Sequence, residues 1–162
     1  MISTFKTITD QIVAWLKDDP VRPDIPVTMR IGDQAEIFAL QGADRPLAIT
    51  CVSYQDFIPK SESQLFAPTK TPTVAVFYSI WSYRKGAGRE LILGALEQIK
   101  ATKPEITTFV TLSPKTNMAA QFHLKNGAIV YRENTDTINY QYEAKCCSCL
   151  EKNPSFWICS LL

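Results

Sequence analysis

The chain has 162 residues, 46% of them hydrophobic and 20% charged, with a formal net charge of +1. That length and apolar content suit one globular domain with a substantial core. The near-zero charge argues against a general nucleic-acid binder. No apolar run approaches the ~18 residues of a membrane-spanning helix, and Met1–Lys6 does not open a signal peptide. Before residue 144 the only cysteine is Cys51, so a reducing, cytoplasmic setting without a disulfide framework is expected.

Ile2, Phe5, Ile8, Ile12 and Trp15 follow helical spacing, and Asp18-Asp19-Pro20 ends the run, which predicts an amphipathic first helix packed on a sheet. Val21 to Pro26, with two prolines, reads as an extended connector. Glu36–Leu40 and Leu47–Tyr54 read as two strands joined by a turn at Gln41-Gly42-Ala43-Asp44. The segment from Asp56 to Pro72 reads as a loop. Val74 to Ile80 is apolar, β-branched and aromatic throughout, as in a strand buried on both faces.

Arg84-Lys85-Gly86-Ala87-Gly88-Arg89 follows that strand and opens a helix. Leu91, Ile92, Ala95, Leu96 and Ile99 form one apolar stripe on it, and Pro104 closes it. Ile106–Leu112 is a second buried strand. Ser113 and Pro114 carry the pattern of a helix start, and Gly127 that of its C-terminal end. Ile129–Arg132 and Thr137–Tyr142 are two final strands.

A strand feeding a glycine turn at a helix N-terminus aims backbone amides and the positive end of the helix dipole at one spot, which suits a phosphate. The loop is neither the Walker sequence nor Gly-x-Gly-x-x-Gly, because Leu91 stands where the third glycine belongs. It resembles the pyrophosphate loop of the GCN5-related acetyltransferase (GNAT) fold, which cradles the diphosphate of coenzyme A. Gly86 and Gly88 match that motif; Tyr83 occupies its Gln/Arg position and Arg84 comes one residue late.

Three further segments resemble the catalytic domain of malonyl-CoA decarboxylases, divergent members of that fold. They are Phe77-Tyr78-Ser79-Ile80, Phe109-Val110-Thr111-Leu112-Ser113-Pro114 and Phe122-His123-Leu124-Lys125-Asn126-Gly127-Ala128. Arg45-Pro46-Leu47 and Asn139-Tyr140-Gln141-Tyr142 fit as well, so the resemblance runs from about residue 30 to residue 143. It implies a single α/β domain with a mixed, mainly antiparallel sheet, splayed where CoA enters, with helices on both faces.

The resemblance also implies roles. Coenzyme A thioesters (acetyl-CoA or malonyl-CoA) become the expected substrates, with no metal. Arg84, Lys85, Gly86, Ala87, Gly88 and Arg89 become the candidate CoA loop, and Asn117 a contact to the pantetheine arm or a helix cap. His123, the only histidine, and Ser113 become the candidate catalytic pair. A hydroxyl donor and an imidazole suit the two tasks of decarboxylation, stabilising an enolate oxygen and protonating its carbon.

The decarboxylases carry a long insertion between the Ser and His motifs and a helical N-terminal domain. Here nine residues separate Ser113 from His123. A continuous helix would hold them ~15 Å apart, so the pair converges only where the helix starts near Asn117. The same fold also supports an acyl-CoA N-acyltransferase, with His123 as general acid and Glu36 or Asp56 as candidate bases, or a non-catalytic acyl-CoA sensor.

Residues 144–162 differ in character from the domain at 1–143, holding four of the five cysteines. Cys146-x-x-Cys149 is half of a zinc pattern with no second half. Cys159-Ser160-Leu161-Leu162 fits a prenylation box, with Cys146, Cys147 and Cys149 as palmitoylation candidates; the alternative is an unmodified extension. Membrane attachment through Cys159 is therefore one expectation for an otherwise cytoplasmic protein.

Overall fold

A computed structural model describes residues 1–143. The zinc and lipidation readings at Cys146, Cys147, Cys149 and Cys159 lie outside the described residues. Strands β1 (Ile2–Phe5), β2 (Ala35–Gln41), β3 (Pro46–Gln55) and β4 (Val74–Ser82) form an antiparallel series. β4 then pairs in parallel with β5 (Thr108–Thr111). β8 (Thr137–Tyr142) runs antiparallel to β5 and, in continuous register, to the two-residue β6 (Ser113–Pro114); β7 (Ile129–Glu133) also pairs with β8. Among the described residues no helix is long and apolar enough to cross a membrane.

The sheet has a core on each face. Helix α2 (Ala87–Thr102) buries the predicted stripe of Leu91, Ile92, Ala95, Leu96 and Ile99 against Phe38, Val52, Phe77 and Phe109. Helix α3 (Asn117–Lys125) lies on that side too, through Phe122 and Ala120. Helix α1 (Asp10–Leu16) packs Ile12 and Leu16 on the opposite face, against Ile37, Ile49, Val76 and Leu112.

The predicted first helix is two elements. Ile2–Phe5 pairs with the edge of β2, and α1 begins only after Thr9, whose side chain accepts from Ile12 N at 3.3 Å. Ile2 and Phe5 have helical spacing, but an open strand edge offers four residues a ladder of hydrogen bonds that an isolated helical turn cannot match. Phe5 still meets Trp15, edge to face at 5.8 Å. Ser113-Pro114 is likewise strand rather than helix start. Thr116 is the true N-cap of α3, and Gly127 follows the helix with φ of 90°.

β4 and β5 stay paired only from Val74/Thr108 to Phe77/Thr111. There β4 carries a bulge: Val52 faces Phe77 and Cys51 faces Ser79, leaving Tyr78 as the extra residue. A bulge bends its strand and increases its twist, and beyond it β4 follows β3 while the other line follows β8. The buried Arg22 guanidinium spans the opening, donating to the Tyr78 carbonyl and, at 2.8 Å, to the Leu112 carbonyl. Its Nε lies 3.1 Å from a Glu62 carboxylate oxygen.

Arg22 is itself held. Asp19 Oδ1 accepts from Val21 N at 2.8 Å and Arg22 N at 3.0 Å, while Asp19 Oδ2 pairs with Arg30 at 2.7 Å. Arg30 also donates to the carbonyls of Arg22 and Ile25. Burial pushes the Asp19 pKa up, but the bonds from the Arg22 amide, Arg30 and the Val21 amide outweigh it and hold the carboxyl below its ordinary value.

Asp19 and Arg30 are 2% and 1% exposed, so removing one partner strands a buried charge. Asp19→Ala is expected to cost about 3–5 kcal/mol of stability, measured by urea unfolding. A loss below about 1 kcal/mol, the range of an exposed pair, would contradict this account.

Candidate functional site

Thr111 and Ser113 are two residues apart on one strand line, so their side chains share a face. Tyr140 and Tyr142 share a face of β8 in the same way. His123, on α3, points into the space these four define. Because α3 starts at Asn117, the serine and histidine meet: Ser113 Oγ lies 3.0 Å from His123 Nε2. Ser113 Oγ also donates to Thr111 Oγ1 at 2.9 Å, and Thr111 Oγ1 accepts from Tyr140 N at 3.1 Å. On the other side of the ring, His123 Nδ1 lies 2.9 Å from the Tyr142 hydroxyl. Tyr140 stacks on the imidazole, with centroids 5.0 Å apart and 27° between planes.

Proton bookkeeping fixes the tautomer. The Ser113 proton is directed at Thr111, so the serine oxygen accepts from His123 Nε2–H. Nδ1 then has no proton and accepts from the Tyr142 hydroxyl. The resulting chain runs Tyr142 O–H to Nδ1, then Nε2–H to Ser113, then Ser113 O–H to Thr111.

Burial lowers the His123 pKa to about 4 and raises that of Tyr142. At neutral pH both groups are uncharged.

The pair opens on a cavity of about 530 Å³. It follows β4 from Phe77 to Ser82, with Pro20 and Val21 also lining it; Leu112–Pro114 and the α3 residues Met118, Ala119, Phe122 and His123 complete the lining. One end lies beside Ser82 and Gly88, at the start of α2. The other lies where β4 and β5 join, at Phe77 and Leu112. Among the described residues no Asp, Glu, Lys or Arg lines the cavity. A second, polar cavity of about 690 Å³ between Lys60–Glu62 and Arg132–Thr137 contains none of the predicted site residues.

The glycine loop is built as an uncapped helix start. Gly86, with φ of 84°, is the N-cap of α2 and supplies no side-chain cap. The amides of Gly88 and Arg89 have no acceptor in the helix's own ladder, which leaves them for an anion. Lys85 is exposed; Arg84 pairs loosely with Glu90 at 3.4 Å, and Arg89 donates to Asn126 at 3.1 Å. Gly88 is constrained by packing, because a Cβ there would sit 3.3 Å from the Phe122 ring. Loop and α3 are thus in contact, one residue from His123.

Other predicted residues fall elsewhere. Asn117 is exposed, does not cap α3, and does not line the cavity, whereas Thr116, Met118 and Ala119 do. Glu36 is occupied by Tyr54 at 2.6 Å and Lys103 at 3.6 Å, and Asp56 accepts from Thr69; neither lines the cavity. Among the described residues no His, Cys, Asp and Glu group is arranged to hold a metal. Thr111, Tyr140 and Tyr142 carry no role in the sequence reading. Their signal was the two-residue spacing of Thr111 with Ser113 and of Tyr140 with Tyr142.

No family model matches the sequence, and no curated protein matches it. Solved structures do match in three dimensions. A malonyl-CoA decarboxylase from Agrobacterium vitis superposes with a TM-score of 0.71 at 19% identity, over 90% of this chain and 60% of that one. One from Rhodopseudomonas palustris gives 0.69 at 18% identity, over 92% and 61%. A Bacillus subtilis acetyltransferase in complex with CoA gives 0.63 at 14% identity, over 89% and 98%. This chain spans about three fifths of those decarboxylases and nearly the whole of the acetyltransferase. The fold is therefore the GNAT fold, as its segments predict.

The unfolded chain protonates His123 near pH 6.5, whereas the folded chain does so only near pH 4. The unfolded state binds more protons between those values. The stabilisation is therefore complete above the window and is lost as pH falls through it, by up to about 3 kcal/mol. Urea titrations at about pH 7 and about pH 4 are expected to show a smaller acid loss for His123→Gln than for the unaltered chain. Equal losses would mean that His123 is not held neutral.

Proposed function

We propose that this chain is a CoA-thioester enzyme that converts malonyl-CoA to acetyl-CoA and CO2. The observation that carries the proposal is the Ser113–His123 contact of 3.0 Å at a cavity that runs from the glycine loop along β4. The likeness to two structures described as malonyl-CoA decarboxylases supports it. In this reading the amides at Gly88 and Arg89, at the loop that Gly86 and Ala87 form, take the CoA diphosphate. Arg84, Lys85 and Arg89 stand beside it as exposed cations, and the pantetheine arm lies along β4.

The thioester carbonyl then reaches the Ser113 hydroxyl, which turns from Thr111 to donate to it. The bond between the carboxylate and C2 breaks, CO2 departs, and the electron pair moves into an enolate whose oxygen Ser113 stabilises. His123 Nε2–H delivers the proton to C2 while Nδ1 takes one from Tyr142, so the imidazole stays neutral. Tyr142 regains its proton from water. A non-catalytic sensor would need no such convergence of polar groups. An N-acyltransferase would need a base for its amine, and among the described residues no carboxylate lines the cavity.

CoA is expected to raise the melting temperature by mass action, and Gly88→Val to abolish that shift by crowding Phe122 and the amides. Malonyl-CoA is expected to be turned over to acetyl-CoA and CO2. His123→Ala and Ser113→Ala should each lower turnover by roughly 10²–10⁴-fold while the CoA-induced shift persists. Intact malonyl-CoA, with an acetyl group instead transferred from acetyl-CoA to a supplied amine, would overturn the reaction and leave CoA binding standing.

A further inference from the structure

We infer that the Pro20-Val21 segment is a rigid wall at the acyl end of the cavity and that Val21 sets the length of acyl group admitted, restricting the site to short acyl thioesters. This rests on the reading that the cavity takes a CoA thioester.

The placement follows from contacts along the segment. At its outer end, Asp18 accepts a 2.7 Å hydrogen bond from Tyr83, just past the Ser82 end of β4. At its inner end, Arg22 bridges the carbonyls of Tyr78 and Leu112, at the root of the splay. The segment between therefore runs along the cavity towards the end where β4 and β5 join. Both Pro20 and Val21 line the cavity. Val21 is next to Arg22, and Leu112 precedes the serine. An acyl group whose thioester lies at Ser113 consequently extends towards Val21.

The wall is hard to displace. Moving Val21 outward would break the Asp19 bonds to the amides of Val21 and Arg22. It would also strain the Arg30 bond to the Arg22 carbonyl and the two bonds across the splay. Asp19, Arg22 and Arg30 are all buried, so water does not readily replace what is lost. A wall held in this way gives a sharp length limit, where a loose loop would give a gradual one. Val21 itself is only half-buried and makes none of these bonds with its side chain. Its size can therefore be changed while the anchor remains.

The test is calorimetric titration of the full chain with CoA, acetyl-CoA, malonyl-CoA, butyryl-CoA and hexanoyl-CoA, the two decarboxylation partners being measured in the His123→Ala background. CoA and acetyl-CoA are expected to bind within about threefold of one another, malonyl-CoA more weakly because its carboxylate gains no cation, and hexanoyl-CoA at least about tenfold more weakly than acetyl-CoA. An open apolar channel would instead strengthen binding by about fourfold for each methylene it buries. Val21→Ala should regain affinity for butyryl-CoA and hexanoyl-CoA with CoA unchanged, and Val21→Met should weaken butyryl-CoA. A flat or rising series from acetyl to hexanoyl, or a series that neither variant alters, overturns the wall while CoA binding stands. Failure of CoA itself to bind overturns the underlying reading and the wall with it.

Discussion

Where β4 and β5 part, the carbonyls of Tyr78 and Leu112 lose the strand neighbour that a closed sheet would give them. Buried carbonyls without donors cost free energy, and the chain meets that cost with one buried guanidinium. Arg22 is suited to this because its planar fork presents parallel donors and is not deprotonated. A buried cation then needs its own compensation. Glu62 lies beside its Nε, and the two carbonyls supply oxygen dipoles. Asp19 and Arg30 hold the backbone from which the side chain reaches. The opening that forms the cavity and the ionic cluster behind it are thus one solution to one hydrogen-bonding problem.

The same opening determines the chemistry on the other face. Because β6 continues the line of β5 after Leu112, Ser113 stays in register with Thr111 and beside β8. Tyr140 and Tyr142 then close over His123. The histidine is 3% exposed, and among the described residues no carboxylate lies within hydrogen-bonding distance of its ring. Burial accordingly wins, and the ring is neutral. Its two nitrogens face two hydroxyl groups, an arrangement suited to passing a proton through the ring and poorly suited to storing a charge there. A carboxylate in place of Tyr142 would reverse that balance by favouring the imidazolium.

Much of this was legible in the chain. The stripe on α2, the buried β4 and the meander of β2 and β3 are strong periodic signals, and the structure contains each. The short pieces misled. Four residues at the start have helical spacing, yet become a strand because β2 offers an open edge, a fact that no local window contains. Ser113-Pro114 reads as a helix start because that pair is common at N-caps. Pairing with Thr137 and Ile138 in β8 overrides it, and Thr116 supplies the cap. The Ser–His pair was legible by resemblance. Its partners Thr111 and Tyr142 were not, because a threonine and a tyrosine in strands are ordinary β-formers until the register shows what they face. The Asp19–Arg22–Arg30 cluster was invisible for a related reason: in sequence it is three charges among prolines, and only the bulge at Tyr78 gives them work.

The electrostatic character of the cavity bears on the proposed reaction. Among the described residues its titratable lining consists of Tyr78 and His123, both of which burial pushes towards the neutral form. A malonyl carboxylate placed there leaves water without gaining a cation. The nearest described guanidinium, that of Arg22, is already turned to two carbonyls and Glu62. Loss of CO2 removes the localised charge and moves it to a thioester oxygen, where the Ser113 hydroxyl can donate. The site then interacts more favourably with the enolate than with the carboxylate, which is the differential that accelerates a reaction. An amine acceptor would face the opposite difficulty. It arrives as an ammonium, and among the described residues the lining holds no carboxylate to receive it or to take its proton. For the proposed reaction, the charges absent from the described lining matter as much as the hydroxyl and imidazole that are present.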